Sequence, residues 1–401
     1  MGLEALLTCW TRLVVKLYTP LRVGGRMVLV GDGLKVAKEG RKMPAVKKLH
    51  QSSQNNSKAA YIFGHSLQAL GLLARGPLGH LCCVPLTSRI HEGVVFSNRD
   101  RRTLLDKFAQ LFVGVVSRLN APTLRVVDAY SASRKSLRPL LVRGHHVITR
   151  VKSNAVAYFP AVEPTTRGRG RPRLYGEKVR LQDLWRTSHH RFQTAASPVY
   201  GESEVTLRDF AIDLLWRPVG QLVRFVFVDH PRRGRLLLMS TDLTLLPLEL
   251  IACYGYRFKI EVAFKQALYT VGTYAYHFWM MAMTPLPRRT GNQYLHRKTE
   301  AYRKQVRRKL DAYHRYVQLG CIAQGLLQYL ALSFRADVWT HFRSWLRTMK
   351  PAEPPSEAVV AQALRNTFPE FLLDTSREHD IKKFILERTD FDRCPHLQLA
   401  A

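Results

Sequence analysis

Leu124-Arg-Val-Val-Asp128 is a short run rich in Leu and Val that finishes on a carboxylate. It reads as a buried strand delivering an acid at its carboxyl end. Pro122 breaks the chain just before it. Upstream lies the clearest helix in the sequence, Arg101 to Leu119, where Leu104, Leu105, Phe108, Leu111, Phe112, Val115, Val116 and Leu119 keep one face apolar. Downstream, Ser133 to Arg143 reads as a helix capped by Ser131 or Ser133, and His146 to Val151 as the next strand. Strand–helix–strand units imply parallel pairing through right-handed crossovers.

A second run, Arg26-Met-Val-Leu-Val-Gly-Asp32, ends in the same way. Buried strands seldom finish on a charge without a reason, because an unpaired buried carboxylate is costly. After it come a Lys-rich loop, Lys35 to Lys48, and a polar stretch, Gln51 to Lys58. Strand candidates follow at Ala59 to Ser66, running into Leu67 to Leu73, and at Leu81 to Leu86. Short loops among these three make an antiparallel meander. The order predicts an α/β fold: a ribonuclease-H-like mixed five-stranded sheet with flanking helices. In that arrangement the first and fourth strands are neighbours, so Asp32 and Asp128 should meet at one end of the sheet.

Ala155 to about Leu250 interrupts the pattern as a β-rich insertion, with strand candidates at Leu222 to Asp229 and Leu236 to Ser240. Beyond it, Tyr254-Gly-Tyr-Arg-Phe-Lys-Ile-Glu261-Val-Ala-Phe-Lys265 reads as a helix. Thr299 to Phe334, Ala336 to Met349 and Ser356 to Leu372 read as a helical carboxyl-terminal region broken at Pro351, Pro354 and Pro355. The expected division is a short helical segment over 1–25, a central domain over 26–154 and 251–290, the insertion over 155–250, and helices over 291–401.

The 401 residues carry 62 Lys plus Arg against 30 Asp plus Glu, a formal charge of +32. The excess runs along the whole chain, so it belongs to the folded surface and points to a polyanionic partner, nucleic acid first. The alternative is a generic basic protein such as a ribosomal component, usually shorter and poorer in core residues. Cys9, Cys82, Cys83, Cys253, Cys321 and Cys394 show no zinc-type spacing and read as reduced core thiols. His145-His146 and His189-His190 read as surface or phosphate contacts, not zinc ligands. No secretory signal opens the chain, and Leu319 to Phe334, with Gln324 and Gln328, is too short to span a bilayer. A soluble chain with no membrane partner is expected.

Asp32, Asp128 and Glu261 together suggest a shared divalent-metal site. Two hard cations about 3.5–4 Å apart can activate an attacking oxygen and stabilise a leaving one at a phosphodiester. Magnesium, for which manganese can substitute, prefers such oxygen ligands. At about 100° per residue, Tyr254, Arg257, Glu261 and Lys265 would share one helix face able to grip a phosphate backbone. The same stripe also reads as a solvated face with ordinary Arg257–Glu261–Lys265 ion pairs.

Several stretches resemble the DDE transposases of cut-and-paste insertion sequences that carry a β-strand insertion before the final Glu. They are Val28-Leu-Val-Gly-Asp32-Gly, Lys38-Glu-Gly-Arg-Lys-Met-Pro44, Gly64-His-Ser66, Val126-Val-Asp128-Ala-Tyr130, Arg150-Val-Lys-Ser-Asn154 and Tyr254-x-x-Arg257-x-x-x-Glu261, similar to the family's Y-R-E-K signature. The resemblance covers roughly residues 26 to 280. It implies a transposase that cleaves and transfers DNA strands with magnesium held by catalytic Asp32, Asp128 and Glu261. It further implies Tyr254 and Arg257 on the transposon end, an insertion guarding a DNA hairpin or end, a homodimer on double-stranded DNA (transposon ends and target), and a cytoplasmic, nucleoid-associated location. The family's Lys would fall at Leu268; Lys265 is the expected substitute. Such transposases carry a sizeable DNA-binding region before the first Asp, where 31 residues stand here, so a truncated copy is one expectation. Arg167-Gly-Arg-Gly-Arg-Pro-Arg173 resembles an AT-hook core, with Arg169, Arg171 and Arg173 in a minor groove, or else is a basic solvated loop. The rival functions are a ribonuclease-H-like nuclease without strand transfer and a truncated or repurposed non-catalytic DNA-binding protein.

Overall fold

The computed structural model describes residues 2–51, 59–162, 173–199, 201–202, 204–345, 347–375 and 379–388. The chain begins with helix α1 (Leu3–Leu17) and then strands β1 (Arg26–Ala37), β2 (Lys47–His50), β3 (Tyr61–Arg75) and β4 (Leu81–Ile90). Helix α2 (Leu104–Leu119), β5 (Thr123–Val127), α3 (Arg134–Leu141) and β6 (His146–Arg150) follow. The α2 start is set by Thr103, whose backbone amide donates to Asp106 Oδ2 at 2.7 Å in a reciprocal cap.

These strands lie in the order β4-β3-β1-β5-β6. β3 runs antiparallel to both β4 and β1. β5 runs parallel to β1 and to β6. The first and fourth core strands are therefore neighbours, as the element order requires.

The sheet does not stop at five strands. Residues 155–250 supply β7 (Val156–Pro160), β8 (Tyr175–Arg180), β9 (Gln193–Ala196), β10 (Thr206–Trp216), β11 (Gln221–His230) and β12 (Gly234–Ser240). β12 pairs antiparallel with β6, aligning Met239 with Thr149, and β11, β10, β7 and β8 continue outward from it. The expected five-stranded sheet is thus one part of a mixed sheet of fourteen strands among the described residues. The insertion extends that sheet instead of standing apart, because β12 covers the edge that β6 would leave unpaired.

Strand alternation divides the core between the two faces of the sheet. Leu29, Leu70, Leu72 and Val127 pack with Trp10 and Val14 of α1 and with Phe108, Phe112, Val115 and Val116 of α2. Val28, Val30, Leu124 and Val126 face the other way. They pack with Leu250, Ile251 and Cys253 of α4 (Pro247–Gly255) and Ile260 and Ala263 of α5 (Phe258–Gln266).

Helix α6 (Glu300–Ser333) closes the structure against β4, followed by α7 (Arg335–Phe342), α8 (Glu357–Thr375) and α9 (His379–Arg388). The helix expected over Ala336 to Met349 ends at Phe342, where Arg343 takes a left-handed conformation with φ 39°. Three glutamines explain why the apolar half of α6 is a core helix. Gln318 Nε2 donates to Leu86 O at 2.8 Å, Gln324 Nε2 to Ala263 O at 2.9 Å, and Gln328 Nε2 to Cys83 O at 3.1 Å. No single described helix is long and apolar enough to cross a membrane. α1 lies on this framework, with Trp10 Nε1 donating to Pro85 O at 2.9 Å and Tyr18 Oη to Gly325 O. Cys82, Cys83, Cys253 and Cys321 are buried free thiols, but Cys9 is exposed on α1; Cys394 lies outside the described residues.

Candidate carboxylate site

The β1–β5 register aligns Met27 with Thr123 through to Val30 with Val126. Asp32 and Asp128 each stand two residues beyond that last pair, on the face that carries Val28, Val30, Leu124 and Val126. There the two strands part company. β5 ends at Val127, and Asp128 opens a short turn in which its backbone oxygen accepts from Thr149 Oγ1 at 2.7 Å. β1 does not end at Asp32, as the sequence suggested. It runs on to Ala37 because β3 continues to pair with it, Asp32 lying opposite Ala69. Asp32 is therefore a mid-strand residue at the point where its parallel neighbour stops.

Gly31 is needed beside it. A Cβ at Gly31 would stand 2.7 Å from Phe108 Cζ and 3.0 Å from Leu70 Cδ2. The bare backbone there lets α2 lie close to β1 while Asp32 points to the opposite face.

Glu261 reaches the same face from α5. The single helix expected over Tyr254 to Lys265 is in fact two, α4 and α5, joined by a tight turn at Tyr256 and Arg257. Arg257 N bonds to Tyr254 O at 3.1 Å and Ile260 N to Arg257 O at 3.1 Å, the spacing of three residues that tightens a turn. The physical reason is burial. Tyr254 and Tyr256 both pack on the core, although positions two apart lie about 200° apart on a continuous helix.

Arg257 ties the site together. Its Nη1 donates to Asp32 Oδ2 at 2.7 Å and its Nη2 to Glu261 Oε1 at 2.7 Å. Burial works against its charge, but Asp32, Tyr254 and Glu261 outweigh that and hold the guanidinium more firmly protonated than usual. Asp32 is held above the ordinary carboxylate range. Burial is the main cause, Arg257 and the Gly33 amide oppose it, and Asp128 and Glu261 add to it. Tyr254 is raised by burial as well, with Arg257 and Arg150 pulling the other way.

Three of the four residues expected on one stripe therefore do converge: Tyr254, Arg257 and Glu261. Lys265 is exposed and forms no ion pair with Glu261, so the ladder Arg257–Glu261–Lys265 is not present. Leu268 is exposed. Arg173 is exposed just ahead of β8, whereas Arg169 and Arg171 lie outside the described residues. Arg150, at the end of β6, was not singled out as a site residue; its charge acts on Tyr254.

The Lys38–Pro44 and Gly64–Ser66 stretches come together elsewhere. His65 lies between Tyr276 Oη at 2.8 Å and Pro44 O at 2.9 Å, and Lys38 Nζ donates to Tyr276 O at 2.9 Å. Burial lowers His65 to about 4 and Lys38 to about 8. This buried polar knot is anchored at Lys38, just past the end of β1 and six residues from Asp32, roughly 20 Å at strand rise. It secures the far end of β1 to the segment after α5.

The donor chemistry at Asp32, Asp128 and Glu261 is that of a hard cation: carboxylate oxygens, without sulfur or imidazole. Among the described residues no three His, Cys, Asp or Glu side chains stand close enough to form a metal-holding group. Arg257 is the cation that bridges two of these three acids.

No family model matches the chain, and no curated protein matches it. Among solved structures, the cryo-EM piggyBac transposase synaptic complex with hairpin DNA aligns over 91% of this chain and 57% of that one. The identity is 9% and the TM-score 0.36. The chain thus spans a little over half the length of that structure, and a likeness so distant says nothing about its chemistry.

Proposed function

We propose that this chain is a transposase that cleaves DNA strands and transfers their ends with magnesium, using Asp32, Asp128 and Glu261 as ligands on a ribonuclease-H-like sheet. The observation that carries the reading is the β1–β5 register, which sets Asp32 and Asp128 level on the face from which Glu261 approaches. The core strand order supports it, as does the formal charge of +32, which suits a DNA partner. A hard divalent cation supplies charge neutralisation at a scissile phosphate. The chain's own residues do the rest. Arg257 keeps Asp32 and Glu261 paired before DNA arrives, and its planar fork fits a backbone phosphate equally well. Tyr254 flanks that contact, and Lys265, exposed further along α5, would meet the DNA backbone separately. Residues 155–250 guard the DNA end, and the active form is a homodimer on transposon ends and target.

The test is Asp128→Asn on labelled duplex ends with magnesium or manganese. Cleavage should be lost while DNA affinity stays within a few-fold, because a metal ligand is removed and not a phosphate contact. Retained cleavage would sink the assignment. Joined products distinguish a transposase from a nuclease that only cuts.

A second reading, a DNA-binding protein without chemistry, draws on one observation: Arg257 already satisfies both Asp32 and Glu261. Such a protein would bind DNA with a steep salt dependence and behave identically with and without magnesium.

A further inference from the structure

The face of the sheet opposite the carboxylates holds a second basic site. A cavity of about 370 Å³ opens between α1, β4 and α2, and Glu4, Arg89, His91, Arg102, Lys107 and Arg118 are among its lining residues. Two of its cations are neutralised: Arg102 Nη2 pairs with Asp100 Oδ2 at 2.8 Å, and Arg118 pairs with Glu4. The other two are not. Lys107 Nζ donates to the His91 carbonyl at 3.0 Å and forms no ion pair among the described residues. Arg89 is only 6% exposed, and its Nη1 donates to Ser88 O and Gln318 Oε1, both at 3.1 Å. Among the described residues its Nη2 has no hydrogen-bond partner, and neither has His91 Nδ1. Burial pushes the His91 imidazole down to about 3, so it is neutral at physiological pH.

A buried guanidinium with an unmet donor and no direct ion pair among the described residues is a costly thing to build, although Glu4 and Asp311 act on it from further away. Placed beside an open cavity that Lys107, Arg102 and Arg118 also line, it leaves an excess of positive charge there. We infer that this cavity binds a phosphate oxyanion, held by Lys107, Arg102 and Arg118, with Arg89 contributing an unneutralised charge from within. Arginine forks and a lysine ammonium are the donor set that phosphate recognition uses. The phosphate belongs either to a nucleic-acid backbone or to a free phosphate, and the chemistry is shared. This inference does not depend on the carboxylate reading, since the two sites lie on opposite faces.

The experiment uses the full chain and two probes. Calorimetric titration with sodium phosphate, against sodium acetate at equal ionic strength, reads the free ion. Anisotropy of a random duplex over a salt series reads the backbone. Lys107→Gln should weaken phosphate binding by about tenfold or more, or lower the duplex salt slope by about one. The first result assigns a free phosphate and the second a backbone phosphate; each supports the site. Arg102→Gln, at a half-exposed side chain, should act in the same direction and carries the test if Lys107→Gln does not fold. Lys107→Arg should restore binding. Unchanged phosphate affinity and unchanged slope in folded variants overturn the inference, as does acetate binding as tightly as phosphate.

Discussion

Arg257 and Asp32 lie 225 residues apart in the chain and meet at 2.7 Å, each with about a fifth of its side chain exposed. Without this contact Asp32 would be a half-buried carboxylate in the middle of a strand, near two further acids. Even with it, Asp32 resists ionisation more than an ordinary aspartate does. The site is therefore held together against its own charge.

That has a consequence for stability. Because the folded carboxyl of Asp32 lies above its unfolded value, burial being the main cause, the folded chain binds this proton more tightly. Stability contributed by the group is present below the ordinary aspartate range and falls as pH rises through the raised value. Asp32→Asn removes that slope. The variant should gain in thermal midpoint relative to wild type between pH 4 and pH 7, about the range above the unfolded value. A constant difference across this range would show that Asp32 is not strained.

Arg257→Ala should make the chain more responsive to divalent ions. In the wild type a cation must compete with the guanidinium for Asp32 and Glu261; in the variant these two acids lose that counter-charge. The thermal shift on adding magnesium should be larger in Arg257→Ala than in wild type, and double substitution with Asp32→Asn should reduce it. Equal shifts in all three proteins would mean that magnesium does not meet these carboxylates.

The legible parts of the fold were those where local pattern and tertiary environment agree. The runs ending at Asp32 and Asp128 are buried as their spacing implies, and so are Phe108, Phe112, Val115, Val116 and Leu119 of the α2 stripe, while Leu104, Leu105 and Leu111 are partly buried. The lysines from Lys35 onward give β1 beyond Asp32 the composition of a loop; pairing with β3, set further along the sequence, makes it a strand. The α4–α5 break was hidden because both halves are helical, and only the shared burial of Tyr254 and Tyr256 demands a turn. The union of β12 with β6 was equally hidden, since a sheet edge leaves no mark in the sequence that covers it. At the site, residue types pointed to Asp32, Asp128, Glu261 and Arg257, but nothing local showed that Arg257 would face Asp32 as well as Glu261.

Gly31→Val tests the packing that fixes Asp32. The new side chain would meet Phe108 and Leu70 at distances below ordinary contact. Overpacking of this kind costs typically about 1–3 kcal/mol, seen as a lower denaturant midpoint. Phe108→Leu in the same chain should recover part of that loss by opening the space. A Gly31→Val variant as stable as wild type would show that α2 does not press on β1 there.

Arg125 offers the sharpest test of stability given up near the site. It is fully buried on β5, three residues before Asp128, with its guanidinium 4.1 Å from the Phe108 ring centroid and 5.1 Å from that of Phe112. Nη1 reaches Ser136 Oγ at 3.2 Å, while Nε and Nη2 have no partner among the described residues. Burial brings its pKa down to about 9, with Asp128 pulling weakly upward. A base depressed in the folded state weighs on stability at all pH values below that figure and is relieved as pH rises through it toward the unfolded value. Arg125→Met keeps much of the volume, removes the unmet donors and leaves the two rings a flexible apolar partner. Replacing a poorly satisfied buried charge in this way stabilises by about 1–4 kcal/mol in favourable cases. The variant should therefore unfold at higher denaturant concentration at pH 7, and its advantage should shrink at pH 10. If the variant is instead less stable at pH 7, the ring contacts and Ser136 hold Arg125 better than its unmet donors imply. An advantage that stays constant with pH would show that the cation is not what weighs on this core.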